Sequence, residues 1–139
     1  MNLMRIAAMA AVVVTLLAAC GDSGSSSPTA EEQVCSAEAA LSASVEQVAE
    51  DVKALNLGQA RDSWQTVQDD AAQLVDAVDE LASETQAELE PLVTELRTTV
   101  SSVTDATSLE ELGSTLDSAE QQLSQIVSTA TKSLDCPAP

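Results

Sequence analysis

Ala60 to Leu81 reads ARDSWQTVQDDAAQLVDAVDEL, and an apolar series runs through it at Ala60, Trp64, Val67, Ala71, Leu74, Val78 and Leu81. The steps are 4-3-4-3-4-3, which places one narrow apolar stripe on a helix and leaves the intervening acids facing water. Trp64 is the only aromatic residue of the chain and lies on that stripe. A buried core side chain is therefore a better account of it than a stacking platform for a ligand. A stripe this narrow needs partner helices, so the stretch points to an all-α bundle.

Similar stripes flank it on both sides. Upstream, Thr29-Ala-Glu-Glu32 has the form of a capping box and predicts a helix from about Ala30. Its seam is Val34, Leu41, Val45, Val48, Val52 and Leu55, and it breaks at Asn56-Leu-Gly58, where Gly58 suits a left-handed cap. Downstream, a third seam holds Leu89, Leu92, Leu96, Val100 and Val103. The register slips by one residue between Ala82 and Glu88, since the previous phase would bring Glu88 and Glu95 inward. Thr85-Gln-Ala-Glu88 offers a second capping box, and Pro91 disturbs any helix that passes through it. The last seam is Leu109, Leu112, Leu116, Ala119, Leu123, Ile126, Ala130 and Leu134, capped by Thr107-Ser-Leu-Glu110 and ended by Cys136-Pro137. Gly113 lies off this seam and costs up to ~1 kcal/mol of helix propensity.

Two topologies fit. Either the chain turns near Ser83–Thr85 into an antiparallel up-down bundle of four helices, or three helices form, with a long middle one kinked at Pro91. Four packed helices bury more apolar surface, which favours the first. Both bring Cys35 to Cys136, so a bond between them does not discriminate.

Met1 to Arg5 carries one positive charge, and Ile6 to Ala19 is uncharged with a single polar residue, Thr15. The run is shorter than the ~20 apolar residues of a spanning helix and has the layout of a secretory leader. Leu17-Ala-Ala-Cys20-Gly21 follows. This stretch resembles the lipobox of bacterial lipoproteins, a resemblance that covers the leader and the five residues around the cut. It implies a signal peptide over 1–19, with Cys20 as the lipid-bearing first residue of the mature chain. The rival is an ordinary secretory cut after Cys20, with Ala18 at the −3 position. Diacylglyceryl on the Cys20 sulfur is what the resemblance implies, and two acyl chains at ~0.8 kcal/mol per buried CH₂ hold for practical purposes permanently. The predicted address is the outer face of the bacterial cell membrane.

Residues 20–29 are the lipidated cysteine and a linker, GDSGSSSPT, with an r.m.s. reach of ~16 Å. Its serines are acceptable sugar acceptors, but a plain flexible tether is the simpler account. The remaining domain, 30–139, is cysteine-bracketed and helical. With the Cys35 and Leu41/Val45/Val48 pattern, Leu89-Glu-Pro-Leu92 and Cys136, it resembles small exported proteins of high-GC Gram-positive bacteria. That likeness implies an architecture and an address, and no activity.

Of three cysteines, Cys20 is taken by lipid, which leaves Cys35 and Cys136 as a pair. Outside the cytoplasm such a pair is expected to be bonded. Without the leader, four basic residues (Lys53, Arg61, Arg97 and Lys132) stand against 23 acids, a net charge of −19. Nucleic acid is excluded as a partner, because backbone binding needs clustered Lys and Arg. Anionic lipid does not attract such a domain either, so the acyl chains on Cys20 do the anchoring.

The chain has no His and no Tyr. His-dependent triads, His-ligated zinc and the Glu-x-x-His di-iron site are thereby excluded. No phosphate loop, nucleophile elbow or D-x-D-x-D-G calcium loop occurs. Only carboxylates remain as candidates: Asp69, Asp76, Asp79 and Glu80 on one helix, and Glu110 and Glu111 at a helix start. Acid-rich helices supply such pairs by chance, and a solvated face explains them better than a catalytic pair. The sequence therefore assigns no catalytic residue, metal ligand or cofactor. It predicts a non-enzymatic interaction or spacer module for an envelope protein. The alternative is a carrier of an apolar ligand or lipid held between the helices, which requires a cavity above ~300 Å³ between the seams.

Overall fold

A computed structural model describes residues 28–137. The leader 1–19, the lipid site Cys20 and the linker as far as Ser27 lie outside the described residues. Within them the chain forms four helices: α1 Ala30–Lys53, α2 Leu57–Asp79, α3 Ser83–Ser101 and α4 Leu109–Ser133. The long kinked rod is thereby replaced by two separate helices.

Cross-helix pairs give the directions. Ser44 donates to Asp70 and Ser63 to Asp51, so α2 descends as α1 rises. Trp64 reaches Val103 and Gln68 reaches Val100, which sets α3 against α2. Cys35 is bonded to Cys136, and Gly113 lies against Val52, so α4 runs against α1. The helices thus run up, down, up, down. α1 and α3 each pack on both α2 and α4, and α2 and α4 touch across the diagonal.

The stripe read from Ala60 to Leu81 is buried at every one of its seven positions, with Ala77 beside it. All of the α4 seam is buried except Leu109, which is half-buried. On α3 the buried residue is Val93 rather than Leu92, because 89-93-96-100-103 keeps the 4-3-4-3 step that 92 breaks. Pro91 sits inside α3 without ending it. Pro91 and Ala87 are both exposed, so the Ala87 carbonyl that loses its donor faces water.

Helix ends account for most departures from expectation. The box at Thr29 and Glu32 forms as read, with bonds of 2.8 and 3.2 Å. The α1–α2 break does not use Gly58. Leu55 takes the left-handed conformation at φ 57°, while Asn56 N–H donates to Asp51 O and Leu55 N–H to Val52 O. That pair of bonds is a Schellman motif with leucine where glycine is expected. Leu55 therefore leaves the seam and is 77% exposed, and Val52 is only half-buried. Asn56 then caps α2 through Gln59 N–H at 3.2 Å, which puts Gly58 in the first turn of α2. A side chain in this conformation costs ~1–2 kcal/mol, partly offset by the backbone entropy of glycine. Leu55→Gly is expected to stabilise the domain by about 1 kcal/mol, read from the urea midpoint.

The α2–α3 turn falls at Glu80–Ala82, slightly before the expected Ser83–Thr85. Leu81 is buried there and ends the α2 stripe, so α3 starts at Ser83 with no side-chain cap and Thr85 lies inside it. At α4 the cap is Ser108, accepting from Glu111 N–H at 3.2 Å, one residue later than the Thr107–Glu110 pair. α4 ends at Ser133, earlier than Pro137 requires, and Asp135 turns left-handed at φ 54°. Gly113 is half-buried against α1, and a Cβ there would lie 4.0 Å from Val52 Cγ1, an ordinary contact. Gly113→Ala should raise stability by about 0.5–1 kcal/mol in the same measurement.

Candidate functional site

The start of α1, the α2–α3 turn and the end of α4 gather at one end of the bundle, where the linker enters. The Asp135 turn brings Cys136 back to α1, and the Cys35–Cys136 bond closes there with 5.4 Å between Cα atoms. Cys136 is buried and Cys35 half-buried.

Two hollows open beside the bond. One, of about 580 Å³, is lined by Pro28, Glu31, Glu32, Cys35, Asp135 and Pro137, among others. The second, of about 400 Å³, runs between α1 and α2 and is lined by Ala37, Ala40, Asp76, Ala77 and Glu80, among others. They share Pro28 and Ser36 and form one acidic, shallowly apolar face. Both open outward. The space between the seams is occupied by Leu, Val and Ala side chains, among them Leu41, Leu74, Leu89, Leu96 and Leu112, each at most 1% exposed.

The carboxylates singled out in the sequence are open to solvent, and Asp76 and Glu80 line the same hollow. Asp69, Asp76, Asp79 and Glu80 are exposed along α2. Glu111 accepts from both the Thr107 N–H and its hydroxyl, at 3.1 and 3.2 Å, so it serves the start of α4. Glu110 is exposed beside it. Among the described residues no three His, Cys, Asp or Glu side chains gather as metal ligands would, and no helix is long and apolar enough to cross a membrane.

Two acids escaped the sequence reading, and both are buried on α1. Asp51 is 7% exposed and fully engaged: Ser63 Oγ donates to it at 2.5 Å and Gln47 Nε2 at 3.3 Å. Glu38 is 5% exposed and its Oε2 has no hydrogen-bond partner. Burial pushes the Glu38 carboxyl above its ordinary value. The signal was present, since 34-38-41-45-48 completes the 4-3-4-3 step on α1.

At the other end, α2 grips the α3–α4 loop with three side chains. Arg61 Nε donates to Ala106 O at 2.5 Å, Trp64 Nε1 to Val103 O at 3.1 Å, and Gln68 Nε2 to Val100 O and Val103 O at 2.9 Å. These bonds satisfy carbonyls at the end of α3 and in the loop that have no helical donor. No family model, no curated protein and no solved structure matches the chain.

Proposed function

We propose that the protein is an envelope lipoprotein, held by lipid on Cys20 at the outer face of the bacterial cell membrane, whose bundle acts as a non-enzymatic interaction or spacer module. The anchor rests on the lipobox resemblance at Leu17–Gly21 and the Gly/Ser linker behind it. The module reading rests above all on one observation: the interior is filled with aliphatic side chains, while the candidate acids on and beside α2 lie on an exposed face. α4 alone, at 25 residues, is about 37 Å long, so the bundle with its linker holds its far end some tens of Å from the anchor. A carrier needs an apolar space between the seams, and the hollows instead open outward beside the disulfide.

The test is to feed cells radioactive palmitate and compare the wild type with Cys20→Ser. Label on the wild type, lost in the variant together with release of protein into the medium, is the expected result. Label that survives the substitution, or wild-type protein free in the medium, overturns the anchor. Native mass measurement after mild extraction separates the two module readings, since a carrier retains an apolar small molecule and an interaction module retains a protein.

A further inference from the structure

We propose that Glu38 is a proton-operated latch on the α1–α4 seam: with its carboxyl neutral the seam closes over it, and with the carboxyl ionised the disulfide-end half of α4 loosens from α1. The inference is independent of the anchoring on Cys20. It begins with position. Val34, Leu41 and Val45, its neighbours on the same stripe, are at most 3% exposed, and Glu38 stands between them at 5%. At 100° per residue it leans toward the flank that carries Cys35 and Ser42. That flank faces α4, because Cys35 is bonded to Cys136. The two fixed points Cys35–Cys136 and Val52–Gly113 put Glu38 level with the end of α4, where Ala130 and Leu134 are buried and Val127 is half-buried.

No charge compensates it there. At that level α4 carries Lys132 with Asp135 just beyond it, α2 carries Asp76 and Asp79 with Glu80 just beyond it, and α3 carries Glu84 and Glu88, all of them exposed. Glu88 is already engaged with Ser133 Oγ at 2.7 Å. On α1 itself, Glu31 is exposed and Glu32 belongs to the cap. Asp51 shows what this fold supplies to a buried carboxylate, namely two donors. Glu38 Oε2 receives none, so its ionised form carries a desolvation cost that its neutral form largely avoids.

The sign follows. Burial raises the folded-state affinity of Glu38 for its proton above the ordinary 4.5, so the native state binds more protons than the unfolded one as the pH climbs from there. Stability from this group is complete below that value and is lost as the pH rises through the folded-state value. Proteins whose native carboxylates are paired respond to acid in the opposite direction.

Hydrogen exchange on the purified full chain at pH 5 and pH 8, corrected for intrinsic rates, tests this. Protection of amides in 34–45 and 123–134 is expected to be higher at pH 5 than at pH 8. Glu38→Gln should give equal protection at both values, and the exposed control Glu120→Gln should keep the wild-type difference. Glu38→Met should melt above the wild type at pH 8. A flat wild type, a Glu38→Gln variant that keeps the slope, a Glu38→Met variant that melts lower at pH 8, or a change spread evenly over all four helices would each overturn the latch.

Discussion

Replacing both Cys35 and Cys136 by serine is expected to lower the unfolding free energy by about 4 to 5 kcal/mol, the largest effect of any simple change to this chain. The bond closes a loop across a sequence separation of 101, nearly the whole bundle. Cutting it frees the unfolded chain to occupy many more conformations. The native side cannot readily compensate. The core is built from Leu, Val, Ala and one Ile, with a single aromatic residue, so it contains few of the large side chains that dominate core energetics. With a urea slope of ~2 kcal/mol per molar, the midpoint should fall by roughly 2 M. Reductant should produce the same fall in the wild type and none in the double serine variant. Equal midpoints with and without reductant in the wild type would show that the two thiols are free in the protein.

Trp64→Ala should follow at about 3 to 5 kcal/mol. The ring is 3% exposed on the α2 stripe, and removing it opens a space that neighbouring aliphatics fill only in part. It also releases one of the three grips on the α3–α4 loop. Trp64→Phe separates these contributions. It keeps most of the ring volume and loses only the Nε1 donor, while Val103 O still receives Gln68 Nε2 at 2.9 Å. A loss of about 1 kcal/mol is expected for the phenylalanine variant. Urea midpoints followed by far-ultraviolet circular dichroism give both numbers, because the variants lack the natural fluorophore. An alanine variant as stable as the phenylalanine one would mean that the cavity collapses fully.

The α2 stripe is legible because it is long, strictly periodic and flanked mostly by polar and acidic residues. The pairing of Cys35 with Cys136 was legible from counting, once Cys20 was assigned elsewhere. Helix ends were less so. At Thr107-Ser108-Leu109-Glu110-Glu111 two hydroxyls each have an acid three residues on, and only the three-dimensional start of α4 selects Ser108. Leu55 runs against local propensity: nothing about a leucine announces a left-handed turn, and the Schellman bonds from Asn56 and Leu55 impose it. Glu38 was missed for a different reason. The 34-38-41-45-48 spacing places it on the stripe, but a carboxylate is among the residue types least expected in a core. The meeting of residues 28–37 with 134–137 follows from the Cys35–Cys136 pair, but the hollow between them depends on the left-handed turn at Asp135, which the sequence does not announce.

The cross-link has one more consequence, for damage rather than for folding. Every peptide bond from Ser36 to Asp135 lies inside a single covalent ring. A protease that nicks an exposed turn, such as the one at Leu55, leaves two fragments still tied through sulfur. A single cut within the ring therefore sheds nothing, and release of a piece of the ring requires a second cleavage or a reductant.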